Sequence, residues 1–242
     1  MLARRIEEAA LNSWPAQQQA FLDGWILRFA KGYTKRANSI TPLYPSFLPI
    51  QDKLAFCEKL YNKQGQPTIF RLLSFQPEIQ ALDQALDQHG YHYHETTLVF
   101  HTRLATPTTE PSIQTVPRED WLALYAHFSR VPLAQQDRHR TILARILPES
   151  LFAVLYDEGT PVACGLGVLE NGLLGLFDIV TDPEQRNRGN GTRLITDMLA
   201  WGHAHGATEA YLQVVETNEI ARRLYTRIGF QELYHYWHRI QS

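Results

Sequence analysis

Residues 181–194, TDPEQRNRGNGTRL, combine two glycines and three arginines in one short segment. The segment follows an apolar stretch and precedes a pattern typical of an amphipathic helix. Gly189 and Gly191 allow a backbone to approach a ligand closely, and a helix N-terminus carries partial positive charge. Full positive charges come from Arg186, Arg188 and Arg193. The segment therefore predicts an anion-binding loop suited to a pyrophosphate, with an ordinary tight turn bearing solvated arginines as the alternative.

Apolar periodicity predicts the elements that must hold this loop. In the second half of the chain, helices are expected around residues 121–128, 142–146, 194–201 and 220–228. Strands are expected at 151–156, 162–169, 173–180, 211–215 and 234–240, with Asn171-Gly172 as a two-residue hairpin turn. Hairpins followed by an alternation of strands and helices indicate a mixed sheet with helices on its faces.

Two motifs in this half resemble the GNAT superfamily of N-acetyltransferases. The first is Arg186-x-x-Gly189-x-Gly191, preceded by FDIVTDP, and the second is Asn218-x-x-Ala221-x-x-Leu224-Tyr225-x-x-x-Gly229-Phe230. Both occur in the family order and spacing, and the resemblance covers residues 112–242. It implies an α/β (α+β) acyl-CoA N-acyltransferase fold with a mixed, mostly antiparallel sheet flanked by helices. It also implies acetyl-CoA as the acyl donor and an amine as the acceptor.

The resemblance assigns the donor site to particular residues. In the family, the strand before the loop separates from its neighbour and holds the pantetheine arm and thioester, which places Ile179, Val180 and Thr181 there. An N–H near Val180 would polarise the thioester carbonyl. The pyrophosphate is expected on the amides of Arg186, Asn187, Arg188, Gly189, Asn190, Gly191 and Thr192, and Asn218 is a further expected donor contact.

The resemblance also indicates catalytic residues. Tyr225 occupies the family position of the general acid, and a tyrosine can protonate a departing thiolate; the alternative is that it only continues an apolar helical stripe. The strand position at which several members carry a glutamate base holds Gln213, which cannot accept a proton. Asp178 is expected as base or substrate ligand, with Glu216 or a water chain as alternatives.

The first half repeats the order of elements in the second, which predicts the same fold twice. The boundaries are a degenerate GNAT-like domain at 1–105, a Thr/Pro-rich linker at 106–111 and a catalytic domain at 112–242. The equivalent loop, YPSFLPIQD, has no glycine, and two prolines remove donors that a phosphate needs. Leu86 stands where Tyr225 stands, so this half is expected to bind no acyl-CoA. The residues that could wall the acceptor pocket, with a solvated hairpin holding one buried aromatic residue as the alternative, are Trp25, Arg28, Tyr33, Lys35, Arg36 and Asn38.

Composition excludes several other classes of protein. The 242 residues include 23 Lys plus Arg and 25 Asp plus Glu, a formal net charge of -2, which argues against a nucleic-acid partner. Two cysteines exclude a disulfide framework, and the histidine pairs at 92/94 and 203/205 lack partners at ligand spacing, so no metal is expected. No signal peptide or membrane span is predicted, so we expect a cytoplasmic protein with no membrane partner.

The prediction is therefore an N-acetyltransferase that moves an acetyl group directly from acetyl-CoA to a primary amine. A small-molecule acceptor is favoured, because a second domain beside the site would enclose it. A protein N-terminus or lysine side chain is the competing acceptor. A non-catalytic acyl-CoA-binding protein is the alternative of a different class.

Overall fold

A computed structural model describes residues 2–107 and 110–241 of the chain. Its helices are α1 (Leu2–Ser13), α2 (Ile50–Lys63), α3 (Ile79–Gln88), α4 (Arg118–Ser129), α5 (Asp137–Leu143), α6 (Asn190–Ala204) and α7 (Glu219–Ile228). Its first strands are β1 (Gln18–Leu22), β2 (Trp25–Phe29), β3 (Ile40–Pro42), β4 (Ile69–Leu73), β5 (Tyr91–Arg103) and β6 (Gln114–Thr115). The others are β7 (Glu149–Asp157), β8 (Thr160–Glu170), β9 (Leu173–Thr181), β10 (Glu209–Val215) and β11 (Gln231–Gln241).

All these strands lie in one sheet, in the order β1-β2-β3-β4-β11-β5-β10-β9-β8-β7-β6. The pairs β3/β4 and β9/β10 are parallel, and the remaining pairs are antiparallel. The predicted mixed, mostly antiparallel sheet is therefore confirmed.

The two predicted domains share this sheet by exchanging their last strands. β11, at the end of the chain, pairs with β4 on the first-half side, and β5 pairs with β10 on the second-half side. The division into two copies of one fold stays a prediction. The predicted linker at 106–111 includes Thr108 and Thr109, which lie outside the described residues.

Alternation along the strands divides the apolar residues between the two faces of the sheet. One face carries α1 and α4 and buries large aromatic side chains, among them Trp14, Trp121, Phe177 and Tyr211. The other carries α2 and α3 over the first-half strands and α6 and α7 over the second-half strands. Within the described residues, no helix is both long and apolar enough to cross a membrane.

Most predicted elements are present, but the first 43 residues differ. Helix α1 and strand β1 were not predicted: the buried stripe of α1 consists largely of small residues, Ala9 and Ala10 beside Ile6 and Leu11. The apolar residues at 37–43 predict a strand, but only β3 forms there, because residues 35–37 make a short 3-10 turn. This turn matters for the site, since it carries Arg36.

Candidate active site

Strands β9 and β10 separate partway along their length. Their parallel pairing runs from Leu173↔Glu209 to Leu176↔Leu212 and stops there, although β9 continues to Thr181 and β10 to Val215. β9 stays paired with β8 up to Thr181. A gap therefore opens between residues 177–181 and 213–215, and the β9 side of it contains Ile179, Val180 and Thr181. The predicted separation of the strand from its neighbour is present.

A bulge at Asp178 marks the start of the gap. The β8/β9 register shifts so that Asp178 and Ile179 together lie opposite Gly165, and Asp178 has a positive φ of 50°. A Cβ on Gly165 would lie 2.6 Å from Ile179 Cδ1, so the glycine makes room for the bulged strand. The carbonyl of Gly165 accepts a hydrogen bond of 3.1 Å from Trp121 Nε1, which ties α4 to the bulge.

The carboxylate of Asp178 contacts a fully buried histidine. His139 Nε2 lies 2.9 Å from Asp178 Oδ2, and His139 Nδ1 lies 3.1 Å from Gln136 Oε1. The His139 side chain is 0% exposed and that of Asp178 is 12% exposed. The imidazole therefore orients one carboxylate oxygen and leaves the other without a partner in the described residues.

Aromatic rings surround this pair on the α1/α4 face of the sheet. The rings of Trp14, Tyr33, Trp121 and Tyr125 lie with their centroids 5.0–6.2 Å from that of His139. Burial raises the pKa of Tyr33 to about 12; Asp178 raises it too, and Arg36 lowers it. Tyr33 and Arg36 thus reach the site from the first half, and their role in an acceptor wall stays a prediction.

Sequence reasoning missed His139, Gln136 and Trp14. The available signal was the place of His139 three and four residues before the buried Ile142 and Leu143, on the apolar stripe of α5. A histidine on such a stripe is ordinarily packed as a core residue. Its partner lies 39 residues away, so spacing along the chain carries no information about the pair.

Four other predicted wall residues lie elsewhere. Trp25 packs in the first-half core on the opposite face of the sheet, and Asn38 is 4% exposed and holds the backbone of the loop at 30–34. Arg28 is 1% exposed and donates to the carbonyls of Leu11, Trp14 and Arg36. Lys35 is half-buried beside Arg36 in the 3-10 turn, without a resolved contact to Asp178.

Gln213 is the first β10 residue beyond the last β9 pair. Its Oε1 accepts from the Tyr236 hydroxyl at 3.0 Å and from Arg36 Nη1 at 3.4 Å. The side chain is therefore held on the α1/α4 face beside the gap, where it can position a ligand but cannot accept a proton. Glu216, the alternative base, is exposed after the end of β10, and its carbonyl accepts from Arg222.

The loop after β9 forms an open cradle at the N-terminus of α6. Asn187 and Gly189 have positive φ angles of 62° and 81°, and Gly189 is the N-cap residue of α6. Asn190 Nδ2 donates to the Gln185 carbonyl at 3.1 Å, which closes the base of the loop. Such a loop directs its free amides outward, where the helix dipole favours an anion.

The cations of the cradle divide into two groups. Arg186 and Arg188 are exposed and form no ion pair with any described residue, whereas Arg193 lies 3.5 Å from Asp157 and points away to the β7–β8 turn. Arg193 was expected to crowd the same spot, and that expectation is wrong.

Gly191, expected with Gly189 to allow a close approach of the backbone to a ligand, does not itself form the turn. It lies inside the first turn of α6 without a positive φ, and an added Cβ would make ordinary contacts of 3.6 Å with Thr181 Oγ1 and Leu224 Cδ2. Strain on substitution is therefore expected at Gly189. The contacts at Gly191 also show that the end of β9, the start of α6 and α7 meet at one point.

Tyr225 follows Leu224, the α7 residue at this junction. It is 9% exposed and belongs to the same buried apolar cluster as residues of β9 and β10, with its ring centroid 6.2 Å from that of Phe230, and burial raises the pKa of its phenol to about 12. Asn218 Oδ1 accepts from Ala221 N at 3.1 Å, so Asn218 is the N-cap of α7. The described residues contain no group of three or more side chains that could hold a metal ion.

A mixed sheet with a parallel strand pair that separates at a bulge, followed by a helix N-terminal cradle, defines an acyl-CoA N-acyltransferase fold. A family model described as "Probable histone acetyltransferase Rv0428c C-terminal" matches residues 3–240. The chain belongs to that family and is a GNAT-type N-acetyltransferase.

Relatives and solved structures agree. The chain is 29% identical to "Uncharacterized N-acetyltransferase YobR" of Bacillus subtilis (strain 168), over 98% of each chain. It is 26% identical to "Probable histone acetyltransferase Rv0428c" of Mycobacterium tuberculosis, over 88% of this chain and 66% of that protein. A GCN5-related N-acetyltransferase from Kribbella flavida has the same fold, with a TM-score of 0.73, 17% identity, and coverage of 100% of this chain and 96% of that one.

Proposed function

We propose that the protein transfers an acetyl group directly from acetyl-CoA to the primary amine of a small molecule. The observation that carries the proposal is the gap between β9 and β10, which has an anion cradle at one end and the His139–Asp178 pair at its start. A donor can enter from one face of the sheet and an acceptor from the other. The two reacting atoms would then meet between the strands.

The residues along the gap fit acetyl-CoA. The amides from Arg186 to Thr192, with the exposed cations Arg186 and Arg188, are suited to its pyrophosphate. The free edge formed by Ile179, Val180 and Thr181 is suited to its amide-containing arm, because both have backbone-like donors and acceptors. Asn218 stays a proposed contact through its amide Nδ2, since capping uses only its oxygen.

The donor supplies the activated acyl group, whose carbon forms a bond to the acceptor nitrogen as its bond to sulfur breaks. Asp178 binds the acceptor amine and takes its proton at the oxygen that His139 does not contact. His139 is a positioning residue for that carboxylate. The N–H near Val180 polarises the acyl carbonyl, as a preorganised donor does for developing negative charge.

Tyr225 is the proposed acid beside the departing sulfur, to which its phenol O–H donates a hydrogen bond. A phenol with a pKa of about 12 is a weaker acid than a thiol, whose ordinary pKa is about 8.5. Complete transfer of the proton would therefore be uphill by roughly 5 kcal/mol. Tyr225 acts by a hydrogen bond that strengthens as charge develops on sulfur, and the thiolate can take its final proton from solvent.

A small acceptor is favoured by the covering of Asp178. Trp14, at the end of α1, and Tyr33 enclose the His139–Asp178 pair from the first half of the chain. A lysine side chain of a protein is the competing acceptor, because one relative is named a probable histone acetyltransferase. Its long aliphatic stem would have to pass the same rings.

The test is Tyr225→Phe, assayed by thiol release with a panel of amines and a lysine peptide. We expect turnover to fall about 100-fold or more with every accepted amine, the usual size of an acid–base contribution. Calorimetry should show the affinity for acetyl-CoA kept within about threefold. Tyr93→Phe, at an exposed tyrosine, is the matched control and should leave both values unchanged.

Unchanged turnover of Tyr225→Phe with every accepted amine would remove the proposed acid. Tight acetyl-CoA binding without turnover of any amine or peptide would favour a non-catalytic acyl-CoA-binding protein.

A further inference from the structure

Arg36 is a cation from the first half that reaches the point where β9 and β10 separate. Its guanidinium carbon lies 4.9 Å from the ring centroid of Trp14 and 5.9 Å from that of Phe177, and its Nη1 lies 3.4 Å from Gln213 Oε1. Phe177 and Gln213 are the first residues of the two strands beyond their last pair. Arg36 therefore stands at the opening of the gap, on the same face as His139.

The loop that carries Arg36 is fixed by several hydrogen bonds. Arg28 donates to the Arg36 carbonyl at 2.8 Å, and Asn38 Nδ2 donates to the carbonyls of Tyr33 and Thr34 at 2.7 and 2.8 Å. Trp14 Nε1 donates to Thr34 Oγ1 at 3.0 Å. The position of the guanidinium is thus a built feature of the fold rather than that of a free surface side chain.

The positive charge of Arg36 is not neutralised. Among the described residues, no carboxylate lies within 4.0 Å of its guanidinium, although Asp178 is close enough for both charges to act on the pKa of Tyr33. Asp178 is held by His139, and Arg36 by the rings of Trp14 and Phe177. Opposite charges at a partly desolvated site ordinarily pair with each other. Because these two are held apart, each can still bind an opposite charge on a ligand.

Further cations surround His238, on β11. Burial lowers the pKa of His238, and Arg71, Lys35, His94 and Arg36 lower it further. Arg71 is neutralised by Glu7, at 2.6 Å. Lys35 and Arg36 have no such partner in the part of the chain that the structure describes. Arg36 is therefore the unpaired cation that the structure places at the opening of the gap, and Asp178 is the carboxylate there.

We propose that the acceptor is a zwitterionic amine that carries an anionic group, in the simplest case the carboxylate of an amino acid. Asp178 would receive its amino group and Arg36 its carboxylate. The inference rests on the proposed function, because it takes Asp178 as the acceptor-amine ligand. A guanidinium is suited to this role, since its planar donors match a carboxylate in a two-point contact.

The experiment compares amines that differ only in the carboxylate. The pairs are L-phenylalanine with 2-phenylethylamine, L-methionine with 3-(methylthio)propylamine, and L-lysine with 1,5-diaminopentane, with Nα-acetyl-L-lysine amide as the peptide-like probe. The readout is the ratio of kcat/KM within each pair, from thiol release, with the acetylated nitrogen located by mass spectrometry. We expect a ratio of at least about 10 in favour of the carboxylated member of an accepted pair. The difference should come from a lower KM for the carboxylated member.

Variants of Arg36 locate the source of the preference. Arg36→Met keeps an apolar stem on Trp14, and we expect it to lower the ratio about 10- to 100-fold by raising KM for the carboxylated amine. Arg36→Lys keeps the charge but loses the two-point contact. Its ratio should lie between those of the unsubstituted protein and Arg36→Met. Lys31→Gln removes the charge of an exposed neighbour and should leave the ratio unchanged.

Equal use of both members of each pair, a preference for the carboxyl-free members or for the lysine amide, or a ratio that survives Arg36→Met would overturn the inference. So would a lack of turnover with every carboxylated amine. The first three outcomes leave the proposed function intact, since an amine is still acetylated. Failure of the proposed function is seen separately, as no turnover with any amine or peptide.

Discussion

The loop after β3 and the loop after β9 occupy matching places but use their backbone N–H groups in opposite ways. Each follows a strand and leads into a helix that returns to a parallel neighbour, β3-α2-β4 in one half and β9-α6-β10 in the other. A strand–loop–helix unit of this kind places helix N-terminal amides at the end of the strand, where an anion is favoured. The two loops therefore have the same backbone arrangement for binding an anion.

In the first half, the chain supplies the anion itself. Asp23 Oδ2, from the β1–β2 turn, accepts from the amides of Phe47 and Leu48 and from Ser46 Oγ, each at 2.8 Å, and lies 3.5 Å from Lys53 Nζ. These bonds, led by the Leu48 amide, hold the pKa of Asp23 at about 2. The amides of Phe47 and Leu48 are therefore already used, and the absence of acyl-CoA binding in this half stays a prediction.

In the second half, the carboxylate of Asp182 accepts only from the Glu184 amide, at 3.0 Å, near the start of the loop. The amides from Arg186 to Gly189 donate no hydrogen bond to another described residue, and the adjacent arginines are exposed. The difference teaches that a carboxylate from a neighbouring turn can occupy the donors of such a loop, and two prolines remove further donors from the first loop. Three predictions test this comparison, in order of decreasing effect.

The largest effect is expected for Gly189→Val. Gly189 has a φ of 81°, a left-handed conformation that costs an ordinary residue about 1–2 kcal/mol and a β-branched one more. The cradle should lose its shape, and calorimetry should show acetyl-CoA affinity reduced at least about tenfold. Gly191→Ala is the matched control, because its new Cβ meets only ordinary contacts, and should stay within about threefold. Full affinity in Gly189→Val would place the donor elsewhere.

A smaller effect is expected for Asp23→Ala. Three hydrogen bonds to the first loop are lost, so Tm should fall by a few degrees, measured by calorimetric unfolding. Acetyl-CoA stoichiometry should remain one per chain, because Pro45 and Pro49 still lack N–H donors. Asp52→Ala, at an exposed carboxylate of α2, controls for the loss of charge. A second acetyl-CoA site in Asp23→Ala would show that the carboxylate alone closes the loop.

The smallest effect is a pH dependence of stability that differs between the halves. The pKa of Asp23 is lowered from 3.8 to about 2, so its contribution is complete above pH 4 and lost as the pH falls toward 2. Burial raises the pKa of Tyr225 from 10.0 to about 12, so its contribution is complete below pH 10 and lost as the pH rises toward 12.

Tm should therefore fall less steeply in acid for Asp23→Ala than for the unsubstituted protein. In alkali, it should fall less steeply for Tyr225→Phe than for the unsubstituted protein. An acid limb identical to that of the unsubstituted protein in Asp23→Ala would contradict the assigned hydrogen bonds.

Much of the second half could be predicted from the sequence because its signals are local. The loop at 186–192, the N-cap Asn218 and Tyr225 lie in contiguous motifs, and glycines mark the ends of α6 and α7. The exchange of β5 and β11 could not be predicted, since apolar alternation identifies a strand but not its neighbour. Gly191 was misjudged for a related reason: spacing shows that a glycine is present but not which glycine has the positive φ.

The acceptor side depends wholly on contacts between distant parts of the chain. Asp178 and His139 are 39 residues apart, and Arg36 and Gln213 are 177 apart, so only the order of strands and the packing of α1, α4 and α5 bring them together. Donor chemistry repeats a short local geometry, a strand end with a helix N-terminus, which a linear motif can encode. The acceptor side is built from side chains of separate elements. Which of their charges can bind a ligand depends on burial and on the distances between them, and only the tertiary structure sets these.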